Sequence, residues 1–329
     1  MSALAPTLQA FFTERLIGQR QASGHTVASY RDTFRLLLAW LNDTTGATPD
    51  RLDFDDLDAA SIGRFLTHLE HERGVSVATR NARLAAIHSL FGFAALRHPE
   101  HAALIARVLA IPAKRHDRVV VTYLTGPETD ALLAAPDRSR RVGRRDHTLL
   151  TVAVQTGLRV SELTMLRRTD LIFGHGAHLR VHGKGRKQRI TPLSRDTVSI
   201  LRAWLDERSG DTDDPVFPGP TGTPLGRDAI RKLVIKHTHA ASARCPSLAS
   251  KQVGLHTLRH SCAMNLLQSG VDLATIALWL GHEDLRTVQI YLHADLTIKE
   301  RALARTTPPH TRPGRYRPPN PLLDFLANL

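Results

Sequence analysis

Apolar residues recur every three or four positions along most of the chain, which is the spacing of an amphipathic helix. Two stripes lie in the first third: Val27, Tyr30, Phe34, Leu37 and Leu41, and then Leu84, Ile87, Phe91 and Ala94. Four or five helices fit before Ile111. The polar and basic segment Ile111–Arg118 lacks this periodicity, which predicts a linker between two domains.

One short region alternates instead with a period of two. Leu179-Arg-Val181 and Arg189-Ile-Thr191 flank the turn Gly183-Lys-Gly185, which predicts a β-hairpin. Helices are expected on the far side of it, around residues 194–208, 226–242, 255–269, 272–281 and 284–294. The pattern therefore predicts a mainly α protein with a small antiparallel β-sheet or hairpin.

The end of the chain has a different composition. Six prolines lie between Pro308 and Pro321, and four apolar residues follow: Leu322, Leu323, Phe325 and Leu326. Prolines at this density do not form a helix. We expect an extended tether that ends in an apolar hook, which docks either on its own domain or on a neighbouring protomer.

A chain of 329 residues with 42% hydrophobic content is long enough for two domains. No apolar run approaches the roughly 20 residues that span a membrane, and residues 1–12 lack the basic region followed by an apolar block that is typical of a leader. We therefore expect a cytoplasmic, nucleoid-associated protein without a membrane partner. Cys245 and Cys262 have no paired spacing, which favours reduced packing residues over a disulfide or zinc knuckle.

The charge points to a polyanionic partner. The net charge is +13, and Lys and Arg outnumber Asp and Glu by 31 to 20 in residues 117–329 but only by 13 to 11 in residues 1–116. Neutralised phosphates release counterions, so DNA or RNA is the natural partner of such a surface. A generically basic protein would carry the same charge.

Four segments hold the candidate chemistry. In the first, Thr156–Leu163, Gly157 ends one helix and Arg159 lies near the start of the next, with Glu162 one turn later. A helix start beside an arginine is a good anion site. Taken alone, the segment favours a common surface Arg–Glu pair at i,i+3 over an anion site.

The second segment, His182–Arg189, is a basic turn. Lys184 stands between two glycines at an exposed hairpin tip that could enter a DNA groove or simply be solvated. The spacing of a phosphate-binding P-loop is absent.

The third segment is Leu255–His260. His256, Arg259 and His260 fall at i, i+3 and i+4, so they share one helical face that attracts an oxyanion. A zinc site is disfavoured because the arginine would repel the dication and no acidic or Cys ligand is adjacent. His260 also fits a buried core position.

The fourth segment is Leu280–His293. Gly281 allows a turn, Asp284 can cap a helix, and Val288 with Leu292 makes its buried stripe. Tyr291 lies next to that stripe and is expected to turn partly outward. An isolated tyrosine in this setting is usually a packed ring.

Together and in this order, Arg159, Lys184, His256, Arg259, His282 and Tyr291 resemble the active site of the tyrosine recombinases, the phage-integrase-like family. The resemblance covers about residues 120–300. It implies a SAM-like, helical core-DNA-binding domain at 1–110, a linker at 111–122, a catalytic domain at 123–305 and a Pro-rich tail at 306–329.

The resemblance also implies the chemistry. Tyr291 would attack a scissile phosphate to give a 3′-phosphotyrosine, while Arg159 and Arg259 hold the phosphate oxygens. His256 and His282 would add hydrogen bonds, with His256 helping to remove the phenol proton. Further roles are implied as follows: Lys184 as the acid for the leaving oxygen, Glu162 and His260 as orienting residues, and Arg186, Lys187 and Arg189 as DNA contacts.

No cofactor, metal ion or ATP is expected for this reaction. The implied partners are double-stranded DNA at specific sites and other copies of the chain, four of which form a synapse, with accessory proteins as further partners. The same residues would suit a type IB topoisomerase or telomere resolvase. A DNA-binding regulator that has kept unused catalytic residues is the alternative outside enzymes.

Overall fold

The computed structural model describes residues 4–115, 121–183 and 188–282, and in addition Val288, Tyr291 and Leu326. The chain divides into two compact units, residues 1–118 and 119–329. Helices dominate both units, and the second also contains a small antiparallel sheet. The predicted fold class is confirmed.

The first unit is helical throughout. Its α-helices are α1 (Leu4–Ala10), α2 (Gly24–Thr45), α3 (Ala59–His71), α4 (Val77–Ala94) and α5 (Ala102–Leu109), with a π-helical stretch at Phe11–Gln19 and 3₁₀ turns at Phe54–Leu57 and Pro99–His101. Phe34, Leu37 and Leu41 of α2 and Ile87 and Phe91 of α4 are buried in one core. The predicted stripes are therefore the faces on which these helices pack.

The second unit contains seven α-helices within its described residues. They are α6 (Gly126–Ala134), α7 (Arg141–Thr156), α8 (Val160–Thr164), α9 (Arg195–Asp206), α10 (Arg227–Ser242), α11 (Leu255–Gln268) and α12 (Leu273–Leu280), with 3₁₀ turns at Arg168–Asp170 and Pro246–Ser250. The four segments predicted between residues 194 and 281 correspond to α9–α12 within two residues at each end.

The sheet has the order β1 (Leu171–Ile172), β2 (His178–His182) and β3 (Gln188–Pro192). β2 and β3 form the predicted hairpin, with Val181 opposite Arg189. β1 was not predicted, because two residues are too few for a period of two to show. Leu179 and Val181 face the core, and α12 packs near β3.

Two glycines set the geometry near the site. α7 ends at Gly157 (φ +63°) and α12 ends at Gly281 (φ +66°), both in the left-handed region. α11 packs against both helices, and Cys262 on α11 is free and buried, as predicted.

Several predictions concern residues outside the described part. They are the hairpin tip at 184–187, most of the helix expected at 284–294, and the tail at 306–329 apart from Leu326, which is exposed. Val288 and Tyr291 are helical and buried. None of the described helices offers the apolar length that a bilayer crossing requires.

Candidate active site

Arg159 sits where the chain leaves Gly157 and begins α8. Its backbone N–H donates to Glu162 Oε2 at 2.8 Å, and its Nη1 donates to Glu162 Oε1 at 2.9 Å. Its Nη2 reaches the carbonyl of Gly281 at 2.9 Å. With five residues, α8 is little more than one turn. We therefore attribute anion attraction here to the half-exposed guanidinium rather than to a helix dipole.

Arg259 is buried on α11 and is held by main-chain oxygens. Its Nη1 donates to the Gly157 carbonyl and its Nη2 to the Leu280 carbonyl, each at 2.6 Å. These carbonyls lie at the ends of α7 and α12, where oxygens lack a helical partner and the helix dipole is negative. Burial lowers the pKa of Arg259 to about 10, so the guanidinium remains charged at neutral pH.

Glu162 connects two arginines. Arg189 on β3 donates to both of its carboxylate oxygens at 2.8 Å and also donates from Nε to the Trp279 carbonyl at 3.1 Å. Burial alone would raise the pKa of Glu162, but the hydrogen bond and charge of Arg189, and then those of Arg159, lower it. The carboxylate is ionised and orients both guanidiniums.

These contacts change the role expected for Arg189. The sequence placed it on the DNA-facing turn, but its side chain is only 12% exposed and points to Glu162 and Trp279. The last residues of the basic turn belong to β3, and the alternation of that strand directs Arg189 inward. We therefore replace its predicted role as a DNA contact. Arg189 binds the Glu162 carboxylate, and that carboxylate in turn holds Arg159.

Tyr291 is buried, with 1% of its surface exposed. Its hydroxyl lies 3.0 Å from Nδ1 of His260, and the two rings meet edge to face at 5.6 Å. Burial raises the pKa of Tyr291 to about 12, against the opposing charge of Arg259. The expectation that Tyr291 turns partly outward is wrong, because α11 and α12 cover its ring.

The histidines fall into two groups. His256 is exposed, and its ring centroid lies 6.3 Å from that of His260 one turn later. Burial, then the charges of His256 and Arg259, lowers the pKa of His260 to about 4. Burial, then Arg259 and Arg159, lowers the pKa of His282 to about 4. His260 and His282 are thus neutral at pH 7.

The arrangement suits chemistry on an anionic ester. Two fixed guanidiniums can hold an oxyanion, neutral imidazoles can donate or accept protons, and a phenol is available as a nucleophile. Among the residues whose positions are described, no group of three or more His, Cys, Asp or Glu side chains could hold a metal ion.

Two family models match the chain. The phage integrase family matches residues 122–297, and the phage integrase N-terminal SAM-like domain matches residues 10–98. The chain belongs to the phage integrase family. It is an enzyme of the tyrosine recombinase class, a site-specific DNA recombinase.

Individual relatives agree with this membership. The y4rC protein of Sinorhizobium fredii, which carries the name integrase/recombinase, is 54% identical over 328 residues, covering 100% of this chain and 99% of the relative. Tyrosine recombinase XerC of Xanthomonas campestris is 34% identical and covers 90% of this chain and 85% of its own.

Among solved structures, XerH site-specific recombinase bound to palindromic difH substrate, in a post-cleavage complex, has a TM-score of 0.71 at 24% identity. The match covers 91% of this chain and 84% of that one. At this identity the likeness establishes the fold.

Several of the residues predicted for this recombinase meet in one place. Those within the described ranges are Arg159, Glu162, His256, Arg259, His260, His282 and Tyr291. Lys184, Arg186 and Lys187 lie outside the described residues. His260 was expected to orient other groups, but it touches the Tyr291 hydroxyl directly. The main-chain acceptors at Gly157, Leu280 and Gly281 were missed, although the glycines that end α7 and α12 were visible in the sequence.

Proposed function

We propose that this recombinase cleaves and rejoins DNA through Tyr291, forming a 3′-phosphotyrosine and a free 5′-hydroxyl. The observation that carries the proposal is that the Tyr291 phenol is buried with His260 beside Arg259, whose guanidinium is fixed by two carbonyls. A buried phenol beside a fixed cation is placed to attack a phosphate that the cation binds. A tyrosine that only fills space in the core needs no such neighbour.

The two arginines would bind the scissile phosphate. A phosphoryl group in transit carries charge on its non-bridging oxygens, and donors fixed in advance stabilise it without reorganisation. Each guanidinium has five N–H groups, so the bonds to carbonyls and to Glu162 leave others for the phosphate. Exposed His256 and half-buried His282 would add hydrogen bonds to the same oxygens.

Lys184 would protonate the leaving 5′-oxygen. The support is its position between two glycines in the basic turn after β2, where an ammonium can approach a DNA backbone. The phosphotyrosine keeps the energy of the phosphodiester, so rejoining requires no ATP. Two guanidiniums supply the charge that a metal ion would otherwise provide.

DNA would contact a basic surface of the second unit. Arg231, Lys232 and Lys236 lie on the exposed face of α10 together with Ile235, which is 49% exposed. A helix face with cations around an apolar residue suits phosphates beside a thymine methyl. We assign Arg186 and Lys187 of the basic turn, and the domain at residues 1–110, to the same DNA.

Recombination joins two DNA sites and exchanges four strands, so four nucleophiles are required. We propose a homotetrameric synapse in which the tail at 306–329, with its Leu322–Leu326 hook, contacts a neighbouring protomer. Accessory proteins and the nucleoid would supply the context that selects the sites.

The test is adduct formation on a nicked suicide substrate, in which the cleaved end diffuses away and traps the intermediate. Wild-type protein should form a covalent adduct in the presence of EDTA, whereas Tyr291→Phe should bind the same DNA and form none. Adducts in the Phe variant would mean another nucleophile, and loss of cleavage in EDTA that Mg²⁺ restores would mean a metal mechanism. Relaxation of a supercoiled plasmid without two-site recombination would indicate a topoisomerase instead.

A further inference from the structure

We infer that His260 accepts the phenol proton of Tyr291 during DNA cleavage and returns it during rejoining. The inference rests on the proposed function and deepens it, since that function needs a base for the nucleophile. Sequence reasoning gave this task to His256. The contact between His260 Nδ1 and the Tyr291 hydroxyl, at 3.0 Å, points to the other histidine of the same face.

The geometry defines the roles of the two atoms. A phenol in a buried site needs an acceptor, and an imidazole nitrogen without a proton is one. His260 would therefore carry its proton on Nε2 and use the lone pair of Nδ1 toward Tyr291. The contact is within the range in which a base removes a proton directly, without a bridging water.

His256 is placed for a different task. Its side chain is exposed, and its ring lies one helical turn before that of His260. An exposed imidazole one helical turn before Arg259 can meet a phosphate oxygen that arrives with DNA. The two histidines would thus divide the work, with His256 on the phosphate and His260 on the nucleophile.

Burial, and then for His260 the charges of His256 and Arg259, keeps the proton on the tyrosine until DNA binds. The groups that face it are His256 and Arg259 on α11, His282 after α12, and Tyr291 itself. With the pKa of His260 lowered to about 4 and that of Tyr291 raised to about 12, the resting pair is a neutral imidazole and a neutral phenol. A bound phosphate adds negative charge, which favours the protonated imidazole.

The proton and bond balance is complete. As the Tyr291 oxygen attacks phosphorus, the new P–O bond forms, the phenol proton moves to Nδ1 of His260, and the bond from phosphorus to the 5′-oxygen breaks. That oxygen takes a proton from the acid assigned to Lys184. On rejoining, the 5′-hydroxyl attacks, its proton returns to the lysine, and the imidazolium gives its proton back to the leaving phenolate.

The test is the pH dependence of single-turnover adduct formation on the suicide substrate. Without its base, the reaction depends on the small fraction of tyrosinate, which grows about tenfold per pH unit below the phenol pKa. His260→Ala should be slower by roughly 10²–10⁴-fold near neutral pH, and the deficit should shrink as pH rises. His256→Ala, the matched variant one turn earlier, should not show this narrowing of about tenfold per pH unit.

A second variant separates proton transfer from hydrogen bonding. Asn at position 260 offers an acceptor oxygen but cannot hold the proton, so His260→Asn should remain as slow as His260→Ala. Added imidazole should accelerate His260→Ala by occupying the vacated space. Thermal unfolding of each variant checks that the unit still folds.

The measurements distinguish a failure of this inference from a failure of the proposed function. Wild-type rates in His260→Asn would overturn the inference and leave His260 only a hydrogen-bond partner that positions Tyr291. A His260→Ala deficit that does not change with pH would overturn it and leave His260 a packing residue. Such a result would leave the proposed function intact as long as Tyr291→Phe forms no adduct. Adducts in Tyr291→Phe would overturn both.

Discussion

The Nη1 atom of Arg259 lies 2.6 Å from the carbonyl oxygen of Gly157, although 102 residues separate them along the chain. Gly157 is the left-handed residue that ends α7, so the end of one helix fixes a side chain of another. A β-carbon at Gly157 would lie 2.6 Å from Leu280 Cδ2 and 3.2 Å from Cys262 Sγ. The position has no room for a larger residue.

We expect Gly157→Ala to lose both stability and cleavage rate. The positive φ alone costs about 1–3 kcal/mol for a residue with a β-carbon, and the clash with Leu280 displaces the carbonyl that holds Arg259. Gly176→Ala is the matched control, since Gly176 has φ +71° and open space around it. Thermal unfolding should show a loss in both variants, but adduct formation should fall only in Gly157→Ala. Equal cleavage by the two would show that the carbonyl does not position Arg259.

Glu162→Gln should destabilise the second unit and slow cleavage. It leaves two guanidiniums without their shared counter-charge, and breaking a buried ion pair costs about 3–5 kcal/mol. Glu207→Gln is the control, because Glu207 binds Arg144 at 2.6 Å with its side chain 29% exposed, compared with 4% for Glu162. Urea unfolding at neutral pH should show a much smaller loss for Glu207→Gln.

The same variant has a pH signature. The pKa of Glu162 is lowered from its ordinary value of 4.5, so its contribution to stability is present above that value and is lost as the pH falls through the lower, folded value. The gap in unfolding free energy between wild type and Glu162→Gln should therefore narrow below pH 4.5. A gap that stays constant with pH would mean that the carboxylate charge does not contribute.

Lys184→Ala should be slow on ordinary DNA and nearly normal on DNA with sulfur at the 5′-bridging position. Sulfur leaves without a proton, whereas an alkoxide needs the acid, whose loss costs roughly 10²–10⁴-fold. Lys187→Ala is the matched control three residues away in the same turn, and Arg159→Ala should be poor on both substrates. Rescue of Lys187→Ala by sulfur would move the role to Lys187, and rescue of neither would make the turn a binding element.

Much of the fold was predictable because a helix of several turns shows the helical period in the spacing of its apolar residues. The stripes on α2 and α4 and the segments of α9–α12 all follow from spacing. β1 could not be found, since its two residues gain their conformation from pairing with β2.

The candidate site was predictable in its members but not in all its contacts. Arg159 and Glu162 are neighbours in sequence, so their pairing follows from helical spacing. Arg189 on β3 lies 27 residues from Glu162 on α8, and only the tertiary fold brings the two together. The contact between His260 and Tyr291 likewise depends on how two helices meet, which no local pattern encodes.

Both arginines of the site are anchored to oxygens that every amino acid possesses. Replacing a side chain cannot delete the carbonyls of Gly157, Leu280 or Gly281, so these anchors require a particular residue only at Gly157, where a β-carbon would clash. They do not tolerate a change in the number of residues in the helices that end at these carbonyls. One residue inserted in α7 would rotate its terminal carbonyl by about 100° around the helix axis and away from Arg259. In this recombinase the lengths of α7 and α12 are therefore as tightly constrained as the identities of the residues that act on DNA.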